Sequence, residues 1–541
     1  MTSAATDLHT AGHRRGVVAT PHHAAVEAGR AIIAEGGNAL EAMVAMAAAI
    51  ATVYPHMSQV GGDGFWLVRE PAGRVRALMA PGRAGSNARR ELYREYETVP
   101  ARGPLAALTV PGAVSGWMLA LEAARAQGGR MPLPDLLAPA IRHANDGYIV
   151  TPGQARLTAE KLAELKDVPG FAATFLSDDK PPDAGRRLHQ AALAATLDHL
   201  AHAGLEDFYR GDVGREIAAD LERVGSPVTR DDLERCRASA AEPLSVALDC
   251  GTAFNAPPPT QGLASLIILA LFERLHVSRG EGFEHVHGLI EATKRAFGVR
   301  DRVITDPAHL PHPLDRYLEP KFLDAEARKI DRRKAAHWPA PYGEGDTVWM
   351  GAADATGLVV SYIQSLYWEF GSGVVLPQTG VVMQNRGASF SLRARSMRWC
   401  PAGCRSTRSI PPLWCSPTAA SSATAPWVAT ASRRRRPRCS PAMCATAWRS
   451  TARSTRRAGS SAAPGARATP ICAWKRASTT SWSTACSRPA MTSRCCRTPI
   501  PTSWAMPARS CCTAMERSKG CMIRAPTAGR QAYRFASIAM S

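Results

Sequence analysis

The chain has 541 residues and a formal net charge of +20, enough length for one large buried core or for two or three domains. The charge is uneven: residues 1–390 hold 40 Lys/Arg against 45 Asp/Glu, whereas residues 391–541 hold 26 Lys/Arg and one acid, Glu516; 12 of the 14 cysteines also follow residue 390, leaving Cys236 and Cys250 before it. This distribution excludes a basic binding surface spread over the whole chain, and the sparse cysteines of the first part exclude a disulfide framework there.

In chain order, the start "MTSAATDLHTAGHRRGVVAT" has no apolar core of signal-peptide length. The run 43–53 is too short to span a bilayer and reads as a buried, Ala-rich helix. Together with the two cysteines, these features predict a cytoplasmic protein. Residues 16–53 predict a strand entry and two helices. The first helix stops at Gly36-Gly37, and the second is capped by Asn38 and ends at Pro55. "SQVGGDGFWLV" and "RVRALMAPGRA" read as β-runs around a Gly-dense turn. Residues 104–200 are mostly helical in pattern, and "PLSVALDCGTAFNAPPPTQGLASLIILALFERL" reads as strands, a Pro/Gly turn and a buried helix. "HVHGLIEATKRAFGVRDRV" is a further helix, residues 307–345 read as a mobile linker, and residues 347–392 return to a β pattern.

After residue 392 both periodicities vanish. A segment this rich in Arg, Ser, Ala, Pro and Cys cannot bury enough apolar surface to offset its ordering entropy, and is expected to be disordered or misfolded. A nucleic-acid-binding tail would need basic residues on one face or spaced aromatics, and neither is seen. The same letters arise when GC-rich coding DNA is read out of frame. Moved back one nucleotide, with wobble bases chosen freely, residues 424–437 spell Tyr-Gly-Thr-Met-Gly-Gly-Asp-Gly-Gln-Pro-Gln-Thr-Gln-Ala. The first glycine of that Gly-Gly pair is forced by the codons of Trp427 and Val428. These observations place a frame slip near Arg393.

Seven stretches stand in a fixed order: "GGNALEAMVA" (36–45), "GGDGF" (61–65), "TVPGAVSGW" (109–117), "NAPPPTQG" (255–262), "EATKRAF" (291–297), "GDTVW" (345–349) and "FGSGVVLPQTGVVMQN" (370–385). Over roughly the first 70% of the chain they resemble the γ-glutamyltranspeptidase family of self-cleaving N-terminal-nucleophile hydrolases. The resemblance implies an α/β (α+β) fold, a four-layer αββα sandwich of two stacked, mainly antiparallel sheets flanked by helices. It also implies a large-subunit region 1–346, a small subunit beginning with residues 347–392, and the aberrant tail 393–541.

The chemistry fits. A threonine hydroxyl is a weak nucleophile until a base takes its proton. Cutting between Asp346 and Thr347 would give Thr347 a free α-amino group with a reference pKa of about 7.7–8.0, close to working pH where a general base is most useful. The resemblance makes Thr347 the nucleophile, makes Ser365 a second hydroxyl bonded to it, and lines the substrate pocket with Asn385 and Arg386. It calls for no metal or organic cofactor. The partners it implies are a γ-glutamyl or other small amide, water or an amine as acceptor, and the two subunits of one precursor, with no nucleic acid and no membrane.

The sequence departs from the family at several places. The usual Thr-Thr-His is Thr347-Val348-Trp349. The arginine expected before "MAP" is Ala77, followed by Leu78, with Arg83 as a substitute, and an aspartate that binds a substrate amino group is replaced by Ser389. Leaving a charged substrate group buried without its partner costs several kcal/mol. The reading is therefore a γ-glutamyltransferase-like amide hydrolase or acyltransferase impaired by its C-terminus. Cephalosporin-acylase-like or oxamate-amidohydrolase-like activity is the alternative within the class. A basic nucleic-acid-associated protein is the alternative outside it.

Three other signals are set aside. "GGDGF" runs on into a strand and does not open the helix a phosphate loop needs. His285 and His287, two apart on a helix, face different ways and read as packed or solvated residues. Arg433–Arg436 is an accident of frame. Resequencing the gene is expected to show a shifted frame near codon 393, with the Gly-Gly pair in the alternative frame. An uninterrupted frame shared by near relatives would refute the slip.

Overall fold

The computed structural model describes residues 15–310, 312–338, 347–390 and 392, all within one compact unit. The predicted tail and Asp346 lie outside the described residues. The elements are β1 (Gly16–Ala19), α1 (His23–Ala34), α2 (Ala39–Val53), β2 (Asp63–Arg69), β3 (Val75–Ala80), α3 (Ala113–Ala126), α4 (Leu133–Asp146), β4 (Tyr148–Ile149), α5 (Pro152–Leu165) and α6 (Phe171–Phe175). There follow β5 (Arg187–Leu188), α7 (Ala191–Ala203), α8 (Asp207–Arg210), α9 (Asp212–Val224), α10 (Arg230–Glu234), β6 (Ser239–Ala241), β7 (Leu244–Leu248) and β8 (Gly251–Asn255). The last are α11 (Gly262–Arg274), α12 (Phe283–Val303), α13 (Pro320–Ala327), β9 (Val348–Asp354) and β10 (Val359–Ser365).

Helix α2 is the centre of the first layer. Asn38 caps it as predicted: its Oδ1 accepts from Leu40 N and Glu41 N, both at 3.1 Å, while Glu41 Oε2 accepts from Asn38 N at 2.8 Å. This reciprocal pair satisfies donors that a helix start leaves open. Every residue of α2 is buried, which its alanines permit by letting neighbours approach closely on all sides.

Beneath α2 lies a six-stranded antiparallel sheet in the order β1-β9-β10-β2-β3-β6. Its side chains alternate between faces. Trp66, Val68, Leu78, Met350, Val360 and Tyr362 pack toward α1, α2 and α3. Phe65, Leu67, Ala77, Met79 and Ile363 point the other way, against Ala256 and Phe254 beside β8. The β7–β8 ribbon in turn buries Leu244, Val246 and Ala253 under α11 and α12. Helix, sheet, ribbon, helix is thus the layer order, as the predicted four-layer sandwich requires. In the described residues the second β layer is this two-stranded ribbon.

Two expectations change. Residues 307–338 do not read out as a linker: Leu314, Leu318, Leu323 and Ile330 are buried in the α11–α12 core, and α13 forms there. Proline and charge masked a leucine spacing that supplies real burial. Residues 374–385 look like strands, yet make only a bridge between Val375 and Val382. Their apolar side chains fill core as a loop.

His56, on the turn after α2, is fully buried, with neither ring nitrogen hydrogen-bonded among the described residues. Its ring centre lies 4.2 Å from that of Tyr54 and 5.9 Å from that of Phe370. Burial, aided by the neighbouring His22, pushes its pKa down to about 3. The unfolded imidazole titrates near 6.5, so the unfolded state binds its proton first as pH falls. Stability is therefore complete above about pH 6.5 and is lost toward pH 3. At pH 4.5 this amounts to about 3 kcal/mol. Thermal unfolding followed from pH 7 to 4.5 is expected to show that loss, and His56→Phe to flatten it. An unchanged slope in the variant would assign the loss to other groups.

Candidate active site

Strand register builds the site. Val348 pairs with Gln364, which sets Thr347 level with Ser365, and Ser365 pairs with Asp63. Residues directly opposite in a sheet share a face. Thr347, Ser365 and Asp63 therefore form one row across three adjacent strands, on the face that carries Phe65 and Ile363 toward the ribbon. Thr347 is half-buried at the entrance to β9. Ser365 is buried, and its Oγ accepts from Tyr367 N at 2.9 Å.

Asp63 anchors the end of the row. It is fully buried. Its Oδ1 accepts from Gly82 N at 2.7 Å and from Gln384 Nε2 at 2.9 Å, and its Oδ2 accepts from Arg386 Nε in an ion pair. Several donors and a countercharge make a buried carboxylate tolerable. The preceding glycines are there for access. A Cβ on Gly62 would lie 2.3 Å from the Ser365 carbonyl oxygen, and one on Gly61 2.0 Å from that of Val382. The Gly62 carbonyl also accepts from Gly112 N and Ala113 N at the start of α3. The "GGDGF" run is a packing device that lets three backbones converge and delivers Asp63 between them.

The predicted pocket residues divide. Arg386 is buried, and its guanidinium carbon lies 5.2 Å from the Phe65 ring centre and 5.7 Å from that of Tyr367. Among the described residues its Nη2 is buried with no hydrogen-bond partner. Asn385 is committed to scaffolding: its Oδ1 accepts from Trp368 N at 3.0 Å and its Nδ2 donates to Ala101 O at 2.9 Å. Ser389 Oγ donates to Arg386 O at 2.9 Å, closing the short 3-10 turn that carries Arg386. Arg83 is exposed and forms no ion pair among the described residues; its backbone carbonyl accepts from Val110 N. Asp63 and Gln384 were missed as candidates, although an acid inside an otherwise apolar β-run was the available signal.

A further reactive group, Cys236, is quiet. Cys236 lies close to the Pro111 carbonyl and Tyr209. Burial, with the Asp63 charge adding, pushes its thiol up to about 12, so it stays protonated and unreactive near neutrality. Among the described residues no cluster of three or more His, Cys, Asp or Glu is placed to hold a metal ion, and no helix is long and apolar enough to cross a membrane. Two hydroxyls on neighbouring strands, in a row that ends at Asp63 and its ion-paired arginine, suit acyl transfer to a side-chain oxygen.

A layered α/β fold with these features is that of the N-terminal-nucleophile acylases and transpeptidases, and the comparisons agree. The chain belongs to the γ-glutamyltranspeptidase family, whose model matches residues 25–409. It is 50% identical over 378 residues to the oxamate amidohydrolase proenzyme of Klebsiella pneumoniae, covering 70% of this chain and 72% of the relative. It is 38% identical over 379 residues to the glutathione hydrolase-like YwrD proenzyme of Bacillus subtilis, covering 70% and 71%. The crystal structure of cephalosporin acylase from Bacillus halodurans superposes with a TM-score of 0.65 at 30% identity, covering 73% of each chain.

Gly62→Ala is expected to destabilise the chain by about 1–3 kcal/mol through overpacking against the Ser365 carbonyl, measured by urea unfolding. A loss below about 0.5 kcal/mol would show that the backbones at this crossing yield easily.

Proposed function

We propose that the chain is a precursor of an amide hydrolase or acyltransferase that cuts itself before Thr347. Thr347 Oγ1 then attacks a substrate carbonyl, its own α-amino group takes the hydroxyl proton, and the amine leaves. Water or a second amine releases the acyl group from threonine. Ser365, level with Thr347 across the strand pair, supplies a second hydroxyl to orient the nucleophile. The single observation that carries this reading is the shared register row of Thr347, Ser365 and Asp63, in a chain of this family. The proposal puts the protein in a reducing, cytoplasmic setting, in keeping with only two cysteines, Cys236 and Cys250, before residue 390.

The relative at 50% identity is named for oxamate, and this chain has no charged residue at Ser389 and no arginine at Ala77. Ser389 leaves a substrate amino group without its partner, and oxamate is a carboxylate with no such group, so a small amide of that kind is the favoured substrate class, ahead of γ-glutamyl compounds or cephalosporin-type amides. We also propose that the chain as written is impaired. The matches cover about 70% of this chain and a similar share of the relatives, and the Gly-Gly pair with which the family binds the oxyanion can be spelled after residue 392 only in the alternative frame. Loss of one such donor typically lowers the rate about 10²–10³-fold.

Ammonia release from oxamate should be measured for the chain as written, for a frame-restored chain, and for the latter with Thr347→Ala. Turnover is expected only in the restored chain, with the substitution abolishing it. Equal turnover with and without Thr347 would refute the assignment. Salt-dependent binding of DNA by the chain as written would instead favour a nucleic-acid role for the tail.

A further inference from the structure

Arg386 is an unusual arginine. It is held on one side by Asp63 through Nε, lies against the rings of Phe65 and Tyr367, and leaves Nη2 buried with no partner among the described residues. Burying a guanidinium donor without an acceptor is unfavourable. Arg76 Nε and Arg230 Nη1 are also buried without a partner among the described residues; what sets Arg386 apart is its place at the Asp63 end of the row, where a ligand could supply the acceptor. Gln384 shows the same one-sided use. Its Nε2 donates to Asp63 Oδ1 at 2.9 Å and to Val110 O at 3.0 Å, which fixes the orientation of its amide, and its buried Oε1 has no partner among the described residues. One carboxylate thus immobilises two side chains that each keep one polar atom unused.

The position is also right for a substrate. Thr347 and Asp63 stand at opposite ends of the row, two strand spacings or about 10 Å apart at the backbone. Between them is only the small Ser365. The threonine stands at one end of this row, and the guanidinium is held at the other by Asp63. A planar carboxylate is the natural complement of a guanidinium edge. Arg83, the substitute suggested by sequence, is exposed and lacks this preorganisation.

We propose that Arg386 is the carboxylate anchor of the site. Through Nη2 it holds a small substrate whose carboxylate sits next to the scissile carboxamide, and Gln384 Oε1 accepts a hydrogen bond from the same molecule. Asp63 acts as the positioning residue that fixes both side chains. The proposal rests on the reading of Thr347 as the reacting end of the row, but its test does not depend on turnover.

Binding is measured by calorimetry on the frame-restored protein made as two polypeptides that meet between residues 346 and 347, the second carrying Thr347→Ala, so that the site is open and no probe is consumed. The probes are oxamate and oxamide, alike in size but differing by one charge. Oxamate is expected to bind about 10–100-fold more tightly than oxamide. Arg386→Gln is expected to erase that preference while leaving oxamide affinity unchanged, and Arg386→Lys to retain part of it. Equal affinity for the two probes in the parent, or failure to bind either, would overturn the anchor. So would an Arg386→Gln variant that weakens both probes alike or neither. Should Arg386→Gln fail to unfold cooperatively on heating, the parent's preference and the Arg386→Lys variant decide the question. A clear oxamate preference combined with Thr347-independent ammonia release would remove the catalytic reading and leave the anchor standing.

Discussion

The buried Asp63 carboxylate is the interaction on which the rest of the site depends. It receives the backbone of Gly82, the amide of Gln384 and the guanidinium of Arg386, and so ties the start of β2 to the loop after β3 and to the segment that follows β10. Removing one member of such a buried pair typically costs about 3–5 kcal/mol, because the other charge is left uncompensated. Such a pair is weak evidence for stability in itself; its use here is to fix one geometry. The hub is the first residue of β2, paired in register with Ser365 and so level with Thr347.

The sheet order explains how a chain of this kind can be cut and remain whole. Strands β9 and β10, which follow the proposed cleavage point, lie between β1 on one side and β2 on the other. Neither piece has a complete sheet alone. Each residue of β10 from Val359 to Gln364 is paired on both edges, and the faces are covered by α2 and by the ribbon layer. A break before Thr347 would sever one backbone bond and leave this network in place, freeing the new amine without separating the halves.

Local signals in the sequence carried much of this. The Asn38 cap, the Ala-rich α2 and the two β-runs around "GGDGF" follow from local chemistry, and they fall where periodicity and capping predict. The motif order also carries the family resemblance, and with it the expectation of Thr347, Ser365 and Arg386 at the site. What local signals could not show is depth. Proline and charge in 307–338 hid four leucine and isoleucine side chains that reach the core. The apolar run 374–385 resembled strands because buried loops and strands share composition. Asn385 and Ser389, which the resemblance places at the pocket, also brace the turns at Trp368 and Arg386. Arg83 is exposed, and Asp63, set between Gly62 and Gly64, is the hub. Each of these depends on which strands become neighbours, and that is set by contacts hundreds of residues apart.

The account stands or falls on Thr347 becoming a chain terminus. The most direct test is the intact mass of the protein made from a frame-restored gene and purified without added protease. Two masses whose boundary lies between Asp346 and Thr347, replaced by one full-length mass when Thr347 is alanine, are the predicted result. A single uncut mass in the unsubstituted protein would contradict it.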